Sequence, residues 1–238
     1  MKTTTIVVLT ILCITTSCAQ KRIKGSGNVV TIERTTNDYD GISVSGFYEV
    51  ELIDGQEGKL TLKGEDNILD NIETEVSSGT LHIKSIDNIN LNPSRGEGVF
   101  ITIPIEEIDQ IRLSGSGDFR GKKTLKTNDL AIQISGSRNI DLAVEAIKVS
   151  VMTSGSSNIR LKGNSEEFKV RSSGSSNVKA YDLEVNEATF ELSGSTNVET
   201  TVDESLTSRV SGSGNIRYRG NPQNVDSKIS GSGKVSKD

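Results

Sequence analysis

The chain has no tryptophan, one histidine, two cysteines and three prolines among its 238 residues, and aromatic side chains make up only 4%. So few aromatics leave little from which to build a stacking platform for sugars or bases. With His82 as the sole histidine, triads and zinc sites of the usual sort cannot be assembled. A basic excess is also missing. Lys and Arg total 27 against 32 Asp and Glu, a formal net charge of -5, which argues against nucleic acid as a partner because phosphate binding depends on cations that release counterions. The longest apolar run, within Ile6 to Ile14, falls well short of the ~20 residues that span a bilayer.

That run shows what the amino terminus is for. "MKTTTIVVLTILCITTSCAQ" has one Lys, an apolar centre and then small polar residues up to Cys18, the layout of a cleaved export signal. The chain is expected to leave the cytoplasm. Cys13 lies inside the apolar run and would be removed with it, leaving Cys18 unpaired. A lone Cys after Thr16-Ser17 resembles a bacterial lipobox, with Thr15 where Leu is usual. Residues 1–17 are thus expected to be a lipoprotein signal peptide and Cys18 the lipidation site, with ordinary cleavage near Ala19 as the alternative. Membrane attachment would be through lipid alone. "AQKRIKG" lacks the acidic run of surface-export signals, so the sequence selects neither the periplasmic nor the surface face of the outer membrane.

What the sequence has in quantity is glycine, 23 residues, and much of it is periodic. The Gly of a Ser-Gly or its equivalent recurs at Gly115, Gly136, Gly155, Gly174, Gly194, Gly212 and Gly231, in steps of 21, 19, 19, 20, 18 and 19. Four residues after each Gly comes Phe119, Ile140, Ile159, Val178, Val198, Ile216 or Val235, apolar without exception. Two and four residues before it, aliphatic side chains dominate. These offsets alternate inward and outward, which is strand periodicity with one buried face. A repeat of ~20 residues made of short strands and a glycine corner is one coil of a solenoid, and coils bury their apolar faces by stacking. The expectation is all-β: a parallel β-helix with coils of about 18–21 residues and Ser-Gly-Ser-x-Asn corners, forming one domain over residues 18–238.

Regular repeats occupy residues 113–238 and irregular coils about 23–112. The same register is visible at Gly46, flanked by Val44 and Val50, and at Gly25, flanked by Ile23 and Val29, which places the start of the stack near Ile23. Between Gly46 and Gly115 strands are predicted at Phe47 to Ile53, Lys59 to Lys63, Ile72 to Val76, Thr80 to Ser85 and Val99 to Pro104, with a short helix in "EDNILDNIETE".

At the corners, glycine accepts positive φ without a Cβ clash, and Asn tolerates the left-handed region while its amide can bond the Asn of the next coil. The predicted corner ladder comprises Gly136 and Asn139, Gly155 and Asn158, Gly174 and Asn177, Gly194 and Asn197, and Gly212 and Asn215. It is expected to stop at Asp118 and Lys234, which hold the equivalent places at the two ends. Turning and stacking already explain these residues, so the corners are read as structural. A phosphate loop needs a helix after the glycines, and here a strand pattern follows. Glu106-Glu107 and Glu166-Glu167 fail as catalytic pairs because neighbours on a strand face opposite ways. "GEDNILDN" matches no EF-hand spacing. No catalytic residue, metal site or cofactor is expected.

"SVSGFYEVEL", "LKGEDNILDNIETEVSSGTLHIK", "ITIP" and then repeated "SGSGN" resemble the head GIN domain family, an auto-transporter adhesin head family common in Bacteroidetes. The resemblance runs from about Ile32 to Lys237. It implies a single-stranded, right-handed parallel β-helix with an adhesive role, and it brings no catalytic motif. The expected function is a non-catalytic adhesin-like or ligand-binding module of the cell envelope. A polysaccharide-acting β-helix enzyme and a purely structural envelope or assembly protein are the alternatives. Expected partners are a glycan or other cell-surface ligand, and a second copy met through the coil ends.

Overall fold

The computed structural model describes residues 21–238; the predicted signal segment and Cys18 lie outside them. Strands make up 76% of the described residues and helix 2%, wound into a β-solenoid of about five turns. The first half supplies β1 (Lys21–Lys24), β2 (Val29–Thr35), β3 (Gly41–Gly46), β4 (Glu49–Asp54) and β5 (Lys59–Glu65), a single turn of helix α1 (Asp66–Leu69), then β6 (Ile72–Ser77), β7 (Thr80–Ser85), β8 (Ile89–Asn92) and β9 (Phe100–Ile105). The second half is almost continuous strand: β10 (Gln110–Gly155), β11 (Asn158–Gly174), β12 (Asn177–Gly194), β13 (Asn197–Gly212), β14 (Asn215–Arg219), β15 (Asn224–Gly231) and β16 (Lys234–Lys237).

Coils of the second half stack in parallel with the corners in line. Gly155 pairs with Gly174, Gly174 with Gly194, Gly194 with Gly212 and Gly212 with Gly231. The apolar offsets become internal columns: Ile140, Ile159, Val178, Val198 and Ile216 are all buried, as are Val151, Val170 and Phe190 on the facing wall. Burying such side chains contributes ~1.5–3 kcal/mol each. Thr153 and Ser172, inward and polar, pair with the corner inside the wall. Thr153 Oγ1 lies 3.2 Å from Ser176 Oγ, and Ser172 Oγ 2.5 Å from Thr196 Oγ1.

The stack order departs from the chain order in the first half. Strands β3 and β4 lie in register against the start of β10, Gly46 opposite Gly115 and Val50 opposite Phe119. Their other edges carry β7 and β9, also in parallel. The chain therefore lays down the second coil, travels outward to add the first, and returns to begin the third. Beyond that outer coil the pairing turns antiparallel, with β6 on β7, β5 on β9 and β2 on β5. The stack consequently does not begin at Ile23: β1 pairs only with β8, in a separate two-stranded sheet. The Ile23–Gly25–Val29 spacing mimics the corner register, but Gly25 is glycine for another reason. A Cβ there would sit 1.9 Å from Glu65 Oε2.

Candidate ligand groove

Each corner is held by the backbone of the coil beneath it. Gly155 has φ +131°, and a Cβ on it would stand 2.4 Å from the carbonyl oxygen of Gly136, so a side chain is excluded on both counts. Ser156 N–H donates to Gly136 O at 2.9 Å, and Ser175 and Ser195 repeat the bond one and two coils on. The Asn amides form the predicted ladder: Asn158 Nδ2 donates to Asn139 Oδ1 at 3.0 Å, and Asn177, Asn197 and Asn215 continue it at 3.2, 3.1 and 3.0 Å. At one end the ladder does not stop where expected. Asn139 Nδ2 donates to Asp118 Oδ1 at 2.9 Å, because a carboxylate accepts an amide as readily as another amide does. The corner set Gly136 to Asn215 is thus brought together as a structural column, with its Asn side chains on the outer surface.

One corner residue was invisible to the repeat. Arg138 fills the variable place in Ser-Gly-Ser-x-Asn, where other coils carry Ser157, Ser176 and Thr196. It is among the largest fully buried side chains. It points inward over Gly117, where a Cβ would press on Arg138 Nη1 at 3.1 Å. From there it donates to Tyr48 O, Gly46 O and Ser114 O at 2.8, 2.8 and 2.7 Å. Burial pushes its pKa down to about 10, opposed by Tyr48 and Asp118, so the side chain is charged at neutral pH. The available signal was a pairing: an Arg in one coil above a Gly in the coil below.

The residues that face outward lie on the strand leading into each corner. Three positions before the glycine they run Arg112, Gln133, Met152, Arg171, Glu191, Arg209 and Lys228, and one position before it each coil contributes a serine, from Ser114 to Ser230. These two columns border an open groove of about 960 Å³ that runs along the stack from β3 to β15. Its lining holds four cations, Arg112, Arg171, Arg209 and Lys228, and one acid, Glu191. Arg171 binds Glu191 with Nε–Oε2 at 3.0 Å. That bond, followed by the charges of Arg171, Lys169 and Arg209, holds the Glu191 carboxyl below its ordinary value. Arg112, Arg209 and Lys228 form no salt bridge among the described residues. A net-negative chain thus carries a net-positive groove. A smaller cleft of about 310 Å³ on the ladder face mixes Asp118 and Asp141 with Arg120, Arg160 and Lys179.

Three of the carboxylates considered for chemistry have structural partners. Glu65, buried at the foot of β5, accepts Gly27 N–H at 2.6 Å, Ser94 N–H at 2.8 Å and Ser94 Oγ–H at 2.6 Å. Asp66 accepts Ser26 Oγ–H and Asn28 Nδ2–H at 2.5 and 2.8 Å. Glu167 pairs with Lys148 at 3.4 Å. Among the described residues no helix is long and apolar enough to cross a membrane.

A family model described as "Putative auto-transporter adhesin, head GIN domain" matches residues 38–222. The chain belongs to this family. Solved structures similar to this head GIN domain protein include a "putative adhesin" from Bacteroides fragilis NCTC 9343, at 24% identity and TM-score 0.79, covering 91% of this chain and 100% of that one. A "Putative lipid binding protein" from Parabacteroides distasonis ATCC 8503 matches at 27% identity and TM-score 0.75, covering 92% and 100%. A "putative adhesin" from Parabacteroides merdae ATCC 43184 matches at 20% identity and TM-score 0.66, covering 92% and 99%. No curated protein matches the chain.

Proposed function

We propose that this head GIN domain protein is an exported, non-catalytic, adhesin-like module, tethered to the outer membrane through lipid on Cys18, whose groove takes an anionic glycan. The groove carries this reading. It repeats one hydroxyl per coil beside a basic column in a chain of net charge -5, and coils follow one another at the ~4.8 Å strand spacing, a periodic surface suited to an extended polymer. Hydroxyls meet sugar hydroxyls, while Arg112 and Arg209 meet carboxylate or sulfate groups. The family description supports adhesion.

The full chain, in mild detergent, is expected to bind sulfated or uronate-containing glycans on an array. That binding should weaken as salt rises and fall at least tenfold in Arg112→Glu/Arg209→Glu. A blank array would sink the glycan. The lipid-binding neighbour and exposed Met152 in the groove favour a second reading, an anionic lipid. In that case the array is blank and vesicles containing phosphatidylglycerol bind the parent chain but not the Arg112→Glu/Arg209→Glu variant; capture through the lipid anchor alone would treat the two alike. For the anchor, Cys18→Ala is expected to abolish palmitate labelling, and unchanged labelling would refute it.

A further inference from the structure

The two ends of the solenoid differ in how their strand edges are finished. At the end where β7 and β9 lie, added antiparallel strands, helix α1 and the side chain of Arg34 cover the outer coil. Arg34 bonds the carbonyls of Ile72 and Leu69, and Ile68 and Leu69 plug the core. At the other end, among the described residues, β15 pairs on one side only, with β13. Every residue of β15 is exposed. Val225 and Ile229, which continue the buried Leu206 and Val210 columns, remain 45% and 42% exposed. An open edge of this kind offers a row of unpaired backbone groups to another strand.

We infer that β15 is a self-recognition edge, pairing antiparallel with β15 of a second copy about a twofold axis through Ser227. Three features of the edge select that occupant. In an antiparallel ladder, directly opposite residues share a face, so only registers that match inward with inward residues continue the two cores into each other. A twofold centred on Asp226 sets Asp against Asp, and one centred on Lys228 sets Lys against Lys. Centring on Ser227 sets Asp226 against Lys228 of the second copy, twice, on the outer face. It also sets Val225 against Ile229 of the second copy, twice, on the inner face. Neither Asp226 nor Lys228 has an ion-pair partner among the described residues, so both are available. The edge is therefore complementary to itself in one register and repulsive in the two nearest ones. A tail-to-tail pair would also join the two grooves end to end, since Lys228, Ile229 and Ser230 line the groove at this edge.

Sedimentation of the full chain in density-matched detergent tests the pairing. The protein mass is expected to rise with concentration from that of one chain to twice that value. Asp226→Lys alone and Lys228→Asp alone each place like charges opposite one another, and each variant is expected to stay monomeric with an unchanged circular dichroism spectrum. Mixed in equal amounts, the two variants become complementary, so dimers are expected to return in the mixture. A parent chain that stays at the mass of one chain at every concentration, or single variants that dimerise as the parent does, would overturn the inference.

Discussion

The capped end and the open end of this solenoid share the same inward columns, yet they solve different problems. At the capped end the chain leaves its regular path to add antiparallel strands, a helical turn and side chains that reach backbone groups, notably Arg34, Glu65 and, a little deeper, Arg138. At the open end the repeat simply continues until β15 and β16, with Val225 and Ile229 showing. A parallel stack needs a local device to finish an edge, because each coil is otherwise identical to the one it would pair with. Among the described residues such a device is present at one end only, and the difference can be tested by making matched changes in both.

The largest effect is expected from one substitution made twice. Gly155→Ala puts a Cβ 2.4 Å from Gly136 O at φ +131°, with coils on both sides; Gly231→Ala does the same at φ +128° and 2.3 Å from Gly212 O. Strain alone is worth ~1–3 kcal/mol, and the clash in a coil fixed from both sides brings Gly155→Ala to about 3–4 kcal/mol. At Gly231 only one neighbour resists, so the last coil frays locally at a cost below about 1 kcal/mol. Denaturant midpoints measure the contrast; equal losses would mean that the two positions are equally constrained.

Next comes Arg138→Met, which keeps much of the buried volume and removes the donors to Tyr48, Gly46 and Ser114. Stranding buried carbonyls costs ~1–3 kcal/mol per group at most, with partial relaxation, so about 2–3 kcal/mol is expected. Hydrogen exchange should localise the loss to the coils at β3, β4 and the start of β10, leaving β12 and β13 protected. A uniform loss of protection would show that Arg138 acts on the whole stack.

The third effect is pH-dependent and confined to the cap. The Ser94 hydroxyl, then the Ser94 and Gly27 N–H groups, hold the Glu65 carboxyl below its ordinary value. A carboxylate with a lowered folded-state pKa contributes stability that is present above its unfolded value and is lost as the pH falls through the folded value. Protection of β1, β2 and β8 should therefore hold near neutrality and decline below about pH 4, ahead of the rest of the stack. Glu65→Gln should show the same loosening at neutral pH, with a smaller further decline on acidification as Asp66 loses Ser26 and Asn28. A cap whose exchange is insensitive to both would remove Glu65 from this role.

These contrasts also mark where the fold was legible. The second half repeats, so each inward position was sampled several times, and the strand periodicity, the corner glycines and the Asn column could be read from constant offsets alone. The cap does not repeat. Its strands were placed from local patterns, with β5, β6, β7 and β9 close to the predicted spans, but their pairing was not legible. Nothing local in "VVTIERT" says that it lies antiparallel on β5, or that β3 sits inside β7. Arg138 was missed for a related reason. A position that varies among repeats looks free, whereas here the exception faces inward and complements the glycine beneath it. The groove was half legible: the outward columns follow from the same offsets, but their concave arrangement depends on how the strand bends into the corner.

The smallest effect is expected from Asn177→Ala, and its size bears on what the Asn column does. Asn177 donates to Asn158 at 3.2 Å and accepts from Asn197 at 3.1 Å, so two ladder bonds are lost. Their side chains are exposed, and water replaces both partners at little net cost, for a loss of about 0.5 kcal/mol. The equivalent change at Asn215, which touches only one Asn neighbour through a 3.0 Å bond, should cost about half as much. Neither variant should alter glycan binding, since the ladder lies on a different face from the groove. Lost binding at unchanged stability would move the site from the serine column to the Asn column. A loss at Asn177 several times larger than that at Asn215 would mean that the ladder bonds reinforce one another along the stack, so that the corner column acts as a cooperative spine.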